Sequence, residues 1–186
     1  MPTFRTPQVV RLSLEAVRRA SAFAEAVTDT VNYRDSNQAI KKKIHDDHFV
    51  SKLGEEAVCQ VFIARNCDVK GPDYSIYESK QKSWAADLRI NTLDVAIKTQ
   101  RRSAGNRYGL SWTFQDSPRR RDPILDLENA WVCLVVYEDL KPNYECVVYP
   151  LRRIKQLIFE SPRLSRLEGK KQAVYLETLH KHKVFK

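Results

Sequence analysis

Between Leu88 and Gln100 the sequence reads LRI, then Asn-Thr, then LDVAIKTQ, and few folds accommodate that pattern. Alternation with period two on both sides of Asn91 and Thr92 predicts two strands joined by a tight antiparallel turn, the first strand starting near Trp84. A two-residue turn there fixes the register and puts Asp87 opposite Ala96 and Ala85 opposite Lys98. One face then carries Asp87, Asp94, Lys98 and Gln100. Val95, Ile97 and Thr99 turn the other way, where a helix can cover them.

A carboxylate and a lysine held together at the end of a hairpin suit phosphodiester hydrolysis. The carboxylate offers hard oxygen ligands to a divalent cation, and the ammonium steadies the attacking water or the charge developing on phosphorus. A second carboxylate is wanted to complete the metal's shell. Glu55 and Glu56 are the nearest suppliers in chain order, on a helix predicted from about Val50 to Arg65 within HFVSKLGEEAVCQVFIARN, with Gly54 in its first turns.

The remaining segments place this unit in an α/β protein. Residues 8 to about 30 repeat apolar residues at helical spacing and predict one amphipathic helix; Ser36 followed by NQAIKKKI predicts a second helix start, and Asp46 and Asp47 a third. YGLSWTF, AWVCLVVY and ECVVY predict three strands, and PLRRIKQLIF predicts a helix with Pro150 in its first turn. At 186 residues the chain suits one domain, 1–186, with 1–48 as a helical N-terminal extension to a mixed central sheet flanked by helices.

Charge and cysteines narrow the function. With 32 Lys and Arg against 23 Asp and Glu, the net charge of +9 favours a polyanionic partner such as nucleic acid. Arg119, Arg120 and Arg121 in the loop QDSPRRRDP, and Arg101 and Arg102 just beyond the hairpin, are candidate phosphate contacts. No stretch approaches the roughly 18 apolar residues of a membrane span, so the chain reads as having no membrane partner. Cys59, Cys67, Cys133 and Cys146 have apolar neighbours and no zinc-ligand spacing, which suits free buried thiols in a reducing cytoplasm. The pairs His45 with His48 and His180 with His182 read as ordinary surface residues, and Gly71-Pro72-Asp73 as a turn.

The order of helix Glu in KLGEEAV, strand Asp in ADLRI and then VAIKTQ resembles the PD-(D/E)xK nucleases, whose core runs helix, three-stranded meander, helix, strand. The resemblance implies that Glu55 or Glu56 and Asp87 bind Mg²⁺, with Mn²⁺ as a substitute, that Lys98 is the catalytic lysine, and that Gln100 takes a neighbouring polar position. One departure stands out. Two residues before the lysine, where the family has Asp or Glu, this chain has Ala96, which leaves the second acid to Asp94 on the same strand face or to the helix.

The chain is also similar to the small cleavage subunit of heterodimeric type IIS restriction endonucleases. That likeness implies double-stranded DNA as substrate and a larger recognition and nicking subunit as partner. A nuclease core takes up most of this length and leaves little for a sequence-reading module, which agrees. A homodimeric restriction, repair or junction-resolving nuclease and an inactive DNA-binding copy of the fold are the alternatives, the last predicted if Ala96 marks lost metal affinity.

Overall fold

The computed structural model describes residues 4–30, 40–76 and 86–179. After the opening residues come strand β1 (Gln8–Arg11), helix α1 (Leu14–Thr30) and helix α2 (Lys41–Ile63). Strands β2 (Val69–Lys70), β3 (Leu88–Ile90) and β4 (Leu93–Arg101) form an antiparallel meander. A crossover follows with the short helix α3 (Gly105–Tyr108) and the hairpin strands β5 (Ser111–Ser117) and β6 (Arg120–Arg121), and it leads to β7 (Trp131–Tyr137), parallel to β4. Strand β8 (Glu145–Val148) pairs antiparallel with β7, and the short β9 (Arg152–Arg153) pairs with its start. Strand β10 (Lys171–Tyr175) and the one-turn helix α4 (Leu176–Leu179) complete the order.

The result is an α/β protein whose mixed central sheet runs β1-β8-β7-β4-β3-β2. A second sheet, β10-β5-β6, lies against its other face. Helix α2 packs Leu53, Ala57, Val58, Val61 and Phe62 onto Val95, Ile97, Cys133, Val135 and Val148. On the opposite face Val132, Leu134 and Val136 meet Trp112, Phe114 and Val174. Strand β7 is therefore covered on both sides, which is why VCLVV reads as an unbroken apolar run. The Trp112 indole N–H donates to the Val135 carbonyl at 2.8 Å and ties the two sheets.

Four expectations from sequence need correction. Residues 8–11 are not helical: Val9 and Val10 favour the extended backbone, and β1 pairs with β8 at the edge of the central sheet. Helix α1 starts only after Ser13, whose hydroxyl accepts the Ala16 N–H at 3.1 Å in the manner of an N-cap. Gln8–Arg11 thus join the edge of the central sheet, and Leu14–Thr30 forms the helix that packs beside α2. Second, α2 is one continuous helix from Lys41, so Asp46 and Asp47 lie inside it, where Lys43 pairs with Asp47 one turn on at 3.3 Å. Ser36 lies outside the described residues.

Third, the segment after Pro150 forms β9 and a single 3₁₀ turn, Ile154–Gln156, instead of a helix; Ile154 and Leu157 fill the second core without one. Fourth, the resemblance implies a helix in the crossover between β4 and β7, whereas the strand read at YGLSWTF forms there, as β5 of a β-hairpin. Its alternating residues Trp112 and Phe114 satisfy the sheet face that the helix would have covered. The four cysteines are free and buried.

Candidate active site

The hairpin register is the expected one: Leu88 faces Val95, Arg89 faces Asp94 and Ile90 faces Leu93. Asn91 turns the chain at φ 54°, a conformation that Asn tolerates. Its side-chain oxygen accepts the Asp68 N–H at 2.9 Å, which anchors the turn to the start of β2. Strand β3 is shorter than predicted and begins at Leu88; Trp84 and Ala85 lie outside the described residues. Where the ladder would continue, the half-buried Asp87 carboxylate takes the place of a strand carbonyl and accepts the Ile97 N–H at 2.6 Å. Asp87 is thereby held against the backbone one residue before Lys98.

Helix α2 reaches this point because Gly54 has no side chain. A Cβ on Gly54 would lie 1.8 Å from the Thr99 hydroxyl oxygen and 2.9 Å from its Cβ. The Thr99 hydroxyl is buried there with no hydrogen-bond partner among the described residues. The close approach brings Glu55 level with the end of the hairpin. Gly54→Ala is expected to force helix and strand apart and to lower stability by about 1–3 kcal/mol in urea unfolding. Adding Thr99→Ala should recover part of that loss, because it removes the nearest clashing atom; no recovery would contradict the contact.

Glu55 is 3% exposed and its carboxyl is pushed up to about 7. Burial is the main cause, the negative charge of Asp87 adds to it, and Lys52 opposes it. The Lys52 ammonium donates to Glu55 at 2.6 Å and to the Asp73 carbonyl at 2.6 Å. It sits 4.8 Å from the centre of the Phe23 ring and 5.4 Å from that of Tyr74. Lys52 is thus a buried cation held by one carboxylate, one carbonyl and two aromatic faces.

Of the two glutamates left open by sequence, Glu56 is committed elsewhere. It accepts from Arg19 at 2.9 and 3.2 Å and from the Tyr74 hydroxyl at 2.7 Å, and so fastens α1 to α2. Successive helical residues diverge by about 100° around the axis, so only one of this pair can face the hairpin.

Lys98 points to the opposite side of β4 from Thr99. Its ammonium donates to Asp122 at 2.8 Å and lies 4.9 Å from the centre of the Phe114 ring. The same Asp122 oxygen accepts the Gln115 N–H at 3.1 Å. Gln100 is spent on structure, donating to the Ser111 carbonyl at 3.3 Å and accepting the Arg101 N–H at 2.9 Å. Asp94 is exposed, opposite Arg89 and one residue from the turn. At roughly 3.3 Å per residue it lies about 13 Å along the strand from Lys98, so the structure does not bring it into the group. Asp94→Asn is accordingly expected to leave any cleavage rate within about twofold of wild type, as a plasmid-nicking time course would show; a large loss would restore Asp94 to the site.

Of the candidate phosphate-contact arginines, Arg101, Arg102 and Arg121 are drawn into ion pairs, Arg101 with Asp46 at 3.8 Å. Arg102 grips Glu138 through Nε at 3.1 Å and Nη2 at 2.6 Å, and its hydrogen bonds hold that carboxyl below the usual range. Arg101 donates to the Asp46 carbonyl at 3.2 Å. Arg121 pairs with Asp116 and, at 3.1 Å, with Asp126. Arg119 and Arg120 are exposed on the β5–β6 hairpin. His45 lies 3.6 Å from Asp46 and stacks on Phe49, and His48 packs edge-on to Phe23; His180 and His182 lie outside the described residues.

Sequence reasoning missed Lys52 and Asp122. Asp122 lay in the loop read for its arginines, and no local pattern marked Lys52. Among the described residues no three His, Cys, Asp or Glu side chains converge into a ready-made metal set. Glu55 and Asp87 nevertheless suit a hard divalent cation. They are two oxygen donors whose like charges oppose each other, and Mg²⁺ takes one or two carboxylates and keeps several waters. No protein-family model, curated protein or solved structure matches the chain.

Proposed function

We propose that the chain is a metal-dependent DNA endonuclease of the PD-(D/E)xK kind, which cuts one strand of duplex DNA as the cleavage subunit beside a larger recognition and nicking subunit. The observation that carries this reading is the Asp87 carboxylate on the Ile97 N–H, beside Lys98, with Glu55 arriving from α2 within range of its charge. The order of α2, antiparallel meander and parallel β7 supports it in part: the core implied by the resemblance has these elements, with a helix before the last strand where this chain has the β5–β6 hairpin.

In this reading Glu55 and Asp87 hold Mg²⁺, which when bound supplies Lewis-acid polarisation of a phosphoryl oxygen and a more acidic water. The Ile97 N–H orients Asp87, and Lys52 orients Glu55. Lys98 presents its ammonium to the charge that develops on the phosphate, and Asp122 and Phe114 limit where that ammonium can sit. The acid missing at Ala96 is supplied from the helix, by Glu55.

One active site cuts one strand, and a basic chain bound through phosphate contacts alone holds duplex with little sequence preference. Site-specific cleavage then requires a partner that tethers this site over a chosen phosphodiester. The test digests one plasmid with this chain, with the larger subunit, and with both together. Nicks from the larger subunit alone and double-strand cuts only from the mixture are expected. Discrete double-strand fragments from this chain alone would replace the heterodimer by a homodimeric enzyme.

A second reading rests on Ala96 and on the Lys98–Asp122 ion pair, which together suit an inactive DNA-binding copy of the fold. It predicts salt-dependent duplex binding with no cut from any mixture.

A further inference from the structure

Two carboxylates beside Lys98 are fixed in the same way. Just before β3, Asp87 stands where a strand carbonyl would and accepts the Ile97 N–H. Just after β6, Asp122 does the same for the Gln115 N–H at 3.1 Å, while its own N–H donates to the Gln115 carbonyl at 2.9 Å. Bonded to Gln115 through both side chain and backbone, the Asp122 carboxylate is tied to β5 and cannot swing to follow a lysine. The oxygen that takes the Gln115 N–H also takes the Lys98 ammonium, at 2.8 Å, so the lysine is held where Asp122 stands. The Phe114 ring, 4.9 Å from the ammonium, covers a second side. An ammonium has three N–H donors, and the Lys98 side chain is 28% exposed, which leaves donors open to an incoming group.

We infer that Asp122 is the positioning residue of Lys98: through it the β5–β6 hairpin aims the ammonium at the phosphate under attack and at the same time weakens its attraction for DNA at rest. The inference rests on the nuclease reading and concerns a residue outside the set that the resemblance implies. A lysine side chain free to turn about its four-carbon stem must be ordered each time it meets a transition state, whereas one already held on Asp122 is ordered before substrate arrives. The same negative charge offsets the pull of the ammonium on a phosphate in the ground state. Rate and affinity are therefore set against each other at this residue. An aspartate that only closed the hairpin would carry no such opposition, and its loss would weaken both or neither.

Asp122→Asn removes the charge and keeps a side-chain oxygen for the Gln115 N–H, so the base of the hairpin survives. With the larger subunit and saturating plasmid, its single-turnover strand cut is expected to fall by about 10–10²-fold. Its binding to a short fluorescent duplex should tighten, and the slope of log K against log salt should steepen by up to about 0.9, the contribution of one phosphate contact. In a Lys98→Ala background Asp122→Asn should bring no further loss of rate, because it acts through the lysine. An unchanged rate, weaker duplex binding, or losses that multiply in the double variant would each overturn the inference. A measurement on the wild-type chain does not depend on a variant folding. In a proton–nitrogen spectrum of the chain labelled at its lysine nitrogens, the Lys98 ammonium should exchange with water more slowly than that of the exposed Lys155. Equal exchange of the two would remove the contact and the inference with it, while leaving the nuclease reading in place. A wild-type mixture that makes no cut overturns the nuclease reading together with the role of Asp122.

Discussion

Asp87→Asn is expected to lower strand cleavage by roughly 10²–10³-fold while the chain stays folded. Asparagine keeps a carbonyl oxygen that can accept the Ile97 N–H, so the backbone contact at the end of the hairpin survives and only the charge is lost. Asp87→Ala removes both, and the buried N–H left without an acceptor costs about 1–3 kcal/mol in addition. The two variants therefore separate the chemistry from the fold: cleavage falls equally in both, and stability falls only in Ala. Lys98→Ala is expected to give a loss of the same order, since the ammonium has no substitute on that face of β4. Nicking rates measured beside thermal unfolding decide the matter, and near-wild-type cutting by Asp87→Asn and Lys98→Ala would remove both from the site.

The second large effect concerns stability. Lys52 and Glu55 are 8% and 3% exposed, and Lys52→Met leaves Glu55 buried without its cation. Breaking a buried pair in this way costs about 3–5 kcal/mol when the remaining partner is charged. The loss depends on pH. Glu55 has its folded carboxyl raised from 4.5 to about 7, so its neutral form is the one the fold favours. Stability from that preference is complete below pH 4.5 and is lost as the pH rises through about 7. Without Lys52 the folded carboxyl moves higher still, and the loss continues past neutrality. The gap between wild type and Lys52→Met should thus be largest at pH 8 and shrink by more than half at pH 5, as denaturant unfolding at the two values would show. A gap independent of pH would mean that Lys52 acts by packing alone.

The hairpin was legible because three local signals agreed: alternation on both arms, a two-residue turn at Asn91 and Thr92, and aliphatic residues confined to one face. Strand β7 was legible because burial on both faces leaves an unmistakable apolar run. The site was legible only in part. Glu55 and Glu56 are adjacent in sequence, and what separates them is the contact of Gly54 with Thr99, across a gap of 45 positions that no local pattern reports. Lys98 and Asp122 are 24 residues apart, and their meeting depends on a β-hairpin occupying a crossover where a helix was implied. Strand β1 was misread because four residues ending in two valines and an arginine fit the first turn of a helix as well as a strand; the choice is made by the free edge of β8. Asp94 kept its face but not its distance, since a shared face of a strand does not bring residues four apart together.

We propose that a divalent cation held by Glu55 and Asp87 makes this chain's strand cut. The most direct measurement digests a plasmid with this chain and the larger subunit in Mg²⁺, in Mn²⁺ and in chelator, and follows conversion of nicked to linear DNA. Linear product in either metal and none in chelator, with loss of the linear product when Glu55→Gln or Asp87→Asn is used, is the predicted result. Linear product formed at the same rate in chelator would contradict the account.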